Sequence, residues 1–128
     1  MLTCSPLRVV SLNYVSNVTG LVTEMSPVNQ LVHEEGALIC WDCATACSHE
    51  APIMNNTSVN PLDYCDAMFF SPHKMVGGAG CPGLLLLKKK LLINDTPNMP
   101  GGGTIFFVSA STHRYARSML LDLDTHKC

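Results

Sequence analysis

The sequence predicts an α/β fold, with helices on the faces of a mostly parallel, open sheet. Two observations carry that expectation. Short runs of β-branched, aromatic or leucine residues recur along the chain, and the segments between them hold helical spacing or turn residues. A hydrophobic content of 47% with 14% charged residues supplies material for a buried core, and 128 residues suit a single domain, residues 1–128.

Arg8 to Val15 reads as the first strand, because Val9, Val10, Leu12 and Val15 are apolar and Ser16-Asn17 ends the run. Gly20 then allows a turn. Ser26-Pro27 has the form of a helix start, serine as the cap and proline at the first helical position. Val28, Leu31 and Val32 recur at helical spacing, and Gly36 stands where a helix stops. Ala37 to Trp41 is the second strand, with Asp42 at its end. Pro52 to Asn60 is polar and turn-rich, and Pro61 to Asp66 has room for one helical turn. Ala67 to Phe70 is the third strand. Pro72 with Gly77, Gly78, Gly80 and Gly83 keeps the loop after it non-helical. Gly83 to Leu87 is a fourth strand, which Lys88-Lys89-Lys90 carries into solvent. A loop containing Pro97, Pro100 and Gly101-Gly102-Gly103-Thr104 precedes a fifth strand, Ile105 to Val108, and a weakly helical tail follows.

Composition narrows the function classes. A formal net charge of -2, with one short basic run, argues against nucleic acid as a partner. No apolar stretch approaches the ~18 residues that cross a bilayer, and Met1 to Tyr14 lacks the pattern of a secretory signal. The expected setting is therefore cytoplasmic, where seven cysteines, an odd number, read as reduced thiols. The sequons at Asn17, Asn55, Asn56 and Asn94 then carry little weight. Cys40, Cys43, Cys47 and His49 invite a zinc reading. Residues three apart on a strand point to opposite faces, however, so Cys40 and Cys43 chelate together only if the strand breaks, and no metal site is expected.

The chemistry concentrates on two residues. Lys74 follows the third strand and Asp42 ends the second, about thirty residues apart, enough for a crossover between parallel neighbours. Both side chains then emerge at the carboxyl edge of the sheet, where open α/β sheets bind ligands. A lysine partly removed from water loses part of its preference for the charged form, and a neutral amine can form a Schiff base. Pyridoxal 5'-phosphate needs such a pair: a lysine for its aldehyde and a carboxylate facing its pyridine nitrogen. Ser71 and His73 flank the lysine with groups able to hold a phosphate.

Five motifs, in this order and spacing, resemble class V aminotransferases, and within them the cysteine desulfurase-like group. They are Ser16-Asn17-Val18-Thr19-Gly20, Asp42-Cys43-Ala44, Ser71-Pro72-His73-Lys74, Gly101-Gly102-Gly103-Thr104 and His113-Arg114-Tyr115. The resemblance covers about residues 16–115, leaves 116–128 as a divergent tail, and implies a partial large domain of the fold-type-I, pyridoxal-phosphate-dependent class. It implies that Lys74 forms the Schiff base, that Asp42 pairs with the pyridine nitrogen, and that Ala44 lies against the ring. Ser71 and His73 would bind the phosphate, and Asn17 would reach the ring substituents near the phenolic oxygen. Many members carry glutamine three residues after the aspartate, where this chain has the shorter Thr45. Gly103 and Thr104 would approach a phosphate, usually that of the partner subunit in a homodimer. The released lysine would be the acid–base group, acting on an amino acid.

The family pattern also has parts that this sequence lacks: a longer segment before the asparagine motif, and a small domain that usually supplies an arginine for the substrate carboxylate. A truncated product, with weak cofactor binding and little turnover, is therefore the expectation. Cys81 is too near the lysine, and Cys128 lies outside any matching motif, so no persulfide-forming cysteine is assigned. Two other readings stay open: a non-catalytic piece acting as an association module, and a small Cys/His metal module.

Overall fold

Four apolar runs pair in chain order to build one sheet, the last running against its neighbour. A computed structural model of the chain describes residues 6–94 and 105–115, divided between two compact units, Met1–Lys88 and Lys89–Cys128. In the first unit the strands are β1 (Val9–Asn13), β2 (Leu38–Asp42), β3 (Ala67–Phe70) and β4 (Leu84–Leu87). Their spatial order is β1-β2-β3-β4; β1 and β3 both run parallel to β2, and β4 runs antiparallel to β3. This is the mostly parallel sheet that the sequence predicts, with β4 as its one antiparallel strand.

One helix, α1 (Met25–Glu34), connects β1 to β2 and packs its Val28 and Val32 side against the sheet. Its start differs from the expected one. The residue before the helix is Glu24, which makes no side-chain cap, and Ser26 and Pro27 lie inside the first turn. The Ser26 hydroxyl donates instead to Asp63 Oδ2 at 2.6 Å, a tertiary bond that outcompetes the local cap. The end is as expected. Gly36 takes φ +64°, its N–H reaches the His33 carbonyl at 2.9 Å, and Ala37 N–H reaches Val32 at 3.0 Å, closing a Schellman motif.

The core lies between α1 and the sheet. Ile39, Trp41 and Met68 are fully buried there with Val32, Cys43 and Cys65. At ~25 cal/mol per Å² of apolar surface, each of the three large side chains contributes about 2 kcal/mol or more. A buried polar chain stitches the same layer. Trp41 Nε1 donates to Asn29 Oδ1 (2.9 Å), and Asn29 Nδ2 donates to Asp63 Oδ1 (3.1 Å). Burial pushes the Asp63 carboxyl up, but bonds from Ser26, Asn29 and Asn56 outweigh it and hold the group below its ordinary range. A second polar centre joins His33 Nε2 and Ile39 N–H to Asp66 Oδ2 at 2.9 and 3.0 Å, so this pair anchors α1 and β2 to the start of β3.

Residues 61–66 form turns and an isolated bridge, Asn55 to Tyr64, rather than the expected helical turn. His33 stacks on Tyr64 (4.0 Å, 21°), and Lys88 Nζ sits 5.2 Å over the same ring while bonding Asn55. In the second unit a 3-10 turn, Lys89–Leu91, takes up the lysine run. An antiparallel hairpin there joins β5 (Ile105–Val108) to β6 (His113–Tyr115). Residues 113–115 are thus strand where a helical tail is expected; residues 116–128 lie outside the described ones.

Candidate functional site

The carboxyl ends of β1 and β2 carry the site because backbone links on both sides hold Asp42 in the middle of the rim. Asn13 is its partner in β1 and Phe69 its partner in β3. Tyr14 N–H extends the ladder to the Asp42 carbonyl (3.0 Å), and Cys43 N–H extends it to Phe69 (2.9 Å). The Asp42 side chain then accepts Ala44 N–H on Oδ1 at 2.8 Å, which turns the chain away from the sheet and leaves the carboxylate at the edge. Trp41, one residue earlier, points to the opposite face and fills the core.

Asn17 reaches the same rim through a tight turn. Ser16 Oγ accepts Val18 N–H (3.3 Å) and Thr19 N–H (3.2 Å), Gly20 N–H returns to the Ser16 carbonyl (2.9 Å), and Gly20 adopts φ +73°. The bridge between Val15 and Val22 closes the turn that carries Asn17.

Lys74 arrives from β3. The segment after the strand is not the non-helical loop expected from its proline and glycines. Pro72 opens a 3-10 turn, Pro72–Lys74, closed by Lys74 N–H to Ser71 O and Met75 N–H to Pro72 O, both 3.0 Å. Proline suits that position because its missing N–H has no partner to lose. Gly78 and Gly80, both at positive φ, follow beyond the turn.

These elements meet at a hollow of about 180 Å³ lined by Asn13, Val15, Asn17, Asp42, Ala44, Thr45 and Lys74. The structure thus brings five of the expected site residues together: Asn17, Asp42, Ala44, Thr45 and Lys74. Ser71 and His73 belong to the same turn as Lys74 but do not line this cavity. Ser71 is half-buried, its carbonyl facing Cys47 Sγ at 3.9 Å, and His73 is exposed. Gly103 and Thr104 lie outside the described residues. Lys74 itself is exposed, so the partial removal from water expected for it is not supplied by these walls. The volume is below the ~300–1,000 Å³ of ordinary small-molecule sites, so these residues form one wall and floor rather than an enclosure.

Asn13 and Val15 are cavity residues that the sequence reading missed. Their only signal is positional: Asn13 ends β1 as Asp42 ends β2. Among the described residues, no three His, Cys, Asp or Glu side chains are placed to hold a metal ion. Burial, aided by the Asp42 charge, pushes the Cys43 thiol up to about 11, and burial pushes Cys65 up to about 12. Among the described residues no helix is long and apolar enough to cross a membrane.

A mostly parallel sheet with an acid and an amine on one carboxyl edge defines the α/β class that works on ligands at that edge. The chain belongs to the class V aminotransferase family, whose model matches residues 4–120. It is 37% identical over 98 residues to a cysteine desulfurase of Synechococcus elongatus, covering 77% of this chain and 14% of that protein. A probable cysteine desulfurase of Aeropyrum pernix is 34% identical over 102 residues, 77% of this chain and 22% of the relative. The fold is similar to the crystal structure of the cysteine desulfurase CsdA from Escherichia coli, with a TM-score of 0.66 and 29% identity. That match covers 85% of this chain and 26% of the other. The cysteine desulfurase of Thermococcus onnurineus gives a TM-score of 0.64 at 27% identity with the same coverage. The chain thus spans between about a seventh and a quarter of the length of these relatives.

Proposed function

We propose that the cavity is part of a pyridoxal 5'-phosphate site, in an enzyme or enzyme portion that acts on an amino acid in the cytoplasm. The observation that supports this is the shared cavity: the amine of Lys74 and the carboxylate of Asp42 line one hollow, beside the amide of Asn17 and the hydroxyl of Thr45. That donor set fits the group. When bound, the cofactor supplies an aldehyde for a primary amine and a protonated ring that draws electron density from the substrate α-carbon. Lys74 Nζ provides the point of covalent attachment and afterwards takes or returns a proton at the substrate carbon. Asp42 holds a proton at the ring nitrogen. Ala44, with no side chain beyond Cβ, lets a flat ring lie close to the backbone. Asn17 orients the ring near its phenolic oxygen, and Thr45, shorter than the family's usual glutamine, lines the same wall. Ser71 and His73, in the lysine turn, serve the phosphate, and Gly103 and Thr104 serve that of a partner subunit in a homodimer.

The test uses the 128-residue chain, incubated with pyridoxal phosphate, reduced with borohydride and mapped by peptide mass. Label on Lys74 that disappears in Lys74→Ala supports the reading. Absence of label, or label spread over Lys88, Lys89 and Lys90, overturns it and favours an association module. That second reading has its own support in the sheet face away from α1, where Val9, Phe69 and Leu85 are exposed.

A further inference from the structure

We propose that Asn13 is a positioning residue that clamps the Asp42 carboxylate when a flat ring occupies the cavity. This rests on the pyridoxal phosphate reading above. Asn13 and Asp42 are register partners at the ends of parallel β1 and β2, so their side chains leave the sheet on one face, about 4.8 Å apart at the backbone. Both line the cavity. The Asn13 backbone is fixed: its carbonyl accepts Thr23 Oγ1 at 3.2 Å, and the next residue bonds Asp42 through Tyr14 N–H at 3.0 Å.

The two side chains are complementary. Asp42 Oδ1 is held by Ala44 N–H, while among the described residues neither Asp42 Oδ2 nor the Asn13 carboxamide has a hydrogen-bond partner. In an open hollow, water satisfies both. A ring seated on Asp42 excludes that water, and a buried donor or acceptor left unmatched is costly. Across the strand pair each group then has the other as a complementary partner. Asn13 Nδ2–H then donates to Oδ2 as Ala44 N–H donates to Oδ1, which fixes the carboxylate plane. Each carboxylate oxygen accepts more than one bond, so the proton on the ring nitrogen still finds its acceptor. Asn13 acts through Asp42 and does not touch the ring.

The experiment measures dissociation constants for pyridoxal phosphate of the 128-residue chain, Asn13→Ala and Asn13→Leu, each substitution also in an Asp42→Ala background. Borohydride mapping at Lys74 accompanies each titration, and circular dichroism checks the fold. The expected result is that both variants still label at Lys74 but bind pyridoxal phosphate about three- to tenfold more weakly, the size of one lost hydrogen bond. Neither variant weakens binding further in the Asp42→Ala background. Wild-type affinity for pyridoxal phosphate in Asn13→Leu overturns the proposal, as does the same weakening with and without Asp42, which means direct contact or wall shape. Leucine keeps the bulk of asparagine, so it decides the matter should the alanine variant not fold. A wild-type chain that leaves Lys74 unlabelled defeats the cofactor reading and this proposal together, whereas labelled variants of unchanged affinity defeat this proposal alone.

Discussion

Trp41 and Asp42 are neighbours in one strand, yet they serve regions with opposite rules. On the α1 side, Trp41 is fully buried and its indole N–H is matched by Asn29, which is in turn matched by Asp63. On the rim, Asp42 is half-buried, and Asn13, Asn17 and Lys74 around it are exposed. Alternation along a strand makes this division possible in a single residue step. Its lesson is that stability and ligand chemistry rest on different side chains, so each can be altered with little effect on the other.

The sharpest way to break that contrast is Trp41→Ala. It opens a void in the core and strands the Asn29 carbonyl, and a loss of about 3–5 kcal/mol in denaturant unfolding is expected. A loss under 1 kcal/mol would show that the α1 side is not the rigid half. Acid tests the polar part of the same layer. Asp63 is held below its ordinary range in the fold, so its contribution is full above the unfolded carboxyl value of ~3.9 and disappears as pH falls through the lower folded value. Asp63→Asn is expected to be less stable at pH 7 by about 1–3 kcal/mol, and to lose less than the wild type between pH 7 and pH 3.

Thiol alkylation sharpens the comparison without mutation. Cys43 and Cys65, with thiols pushed up to about 11 and about 12 by burial, stay protonated at pH 8. Haloacetamide is expected to modify half-exposed Cys81 at least about tenfold faster than either, with the difference erased in denaturant, as mass spectrometry of digests reports. The smallest effect belongs to Lys74→Ala. An exposed lysine with no side-chain bond among the described residues should change unfolding stability by no more than about 0.5 kcal/mol while abolishing the borohydride label.

Much of this was legible because the relevant signals are local. The run Ala67 to Phe70 is β3 to the residue, and the first, second and fourth strands differ from expectation only at their ends. The pairing of Asp42 with Lys74 at one edge follows from strand ends and spacing. What stayed hidden depends on distant partners. Leu84 to Leu87 has no periodicity that tells antiparallel from parallel, and Ser26 looks like a cap only until Asp63, far along the chain, takes its hydroxyl. His113-Arg114-Tyr115 lacks the apolar alternation of a strand and pairs because β5 offers an edge. Asn13 carries no motif; only register reveals it.

The segment joining β3 to β4 has a stiff half and a pliant half. From Ser71 to Met75 two backbone bonds and a proline fix the path that delivers the lysine, whereas Gly77 to Gly83 is rich in residues without a side chain to resist rearrangement. Because β4 turns straight back beside β3, both stumps of the segment are anchored a strand's width apart. Length changes between Gly77 and Gly83 should therefore be absorbed like slack in a rope moored at both ends, while one extra residue before Lys74 would swing the amine around its turn and away from the acid.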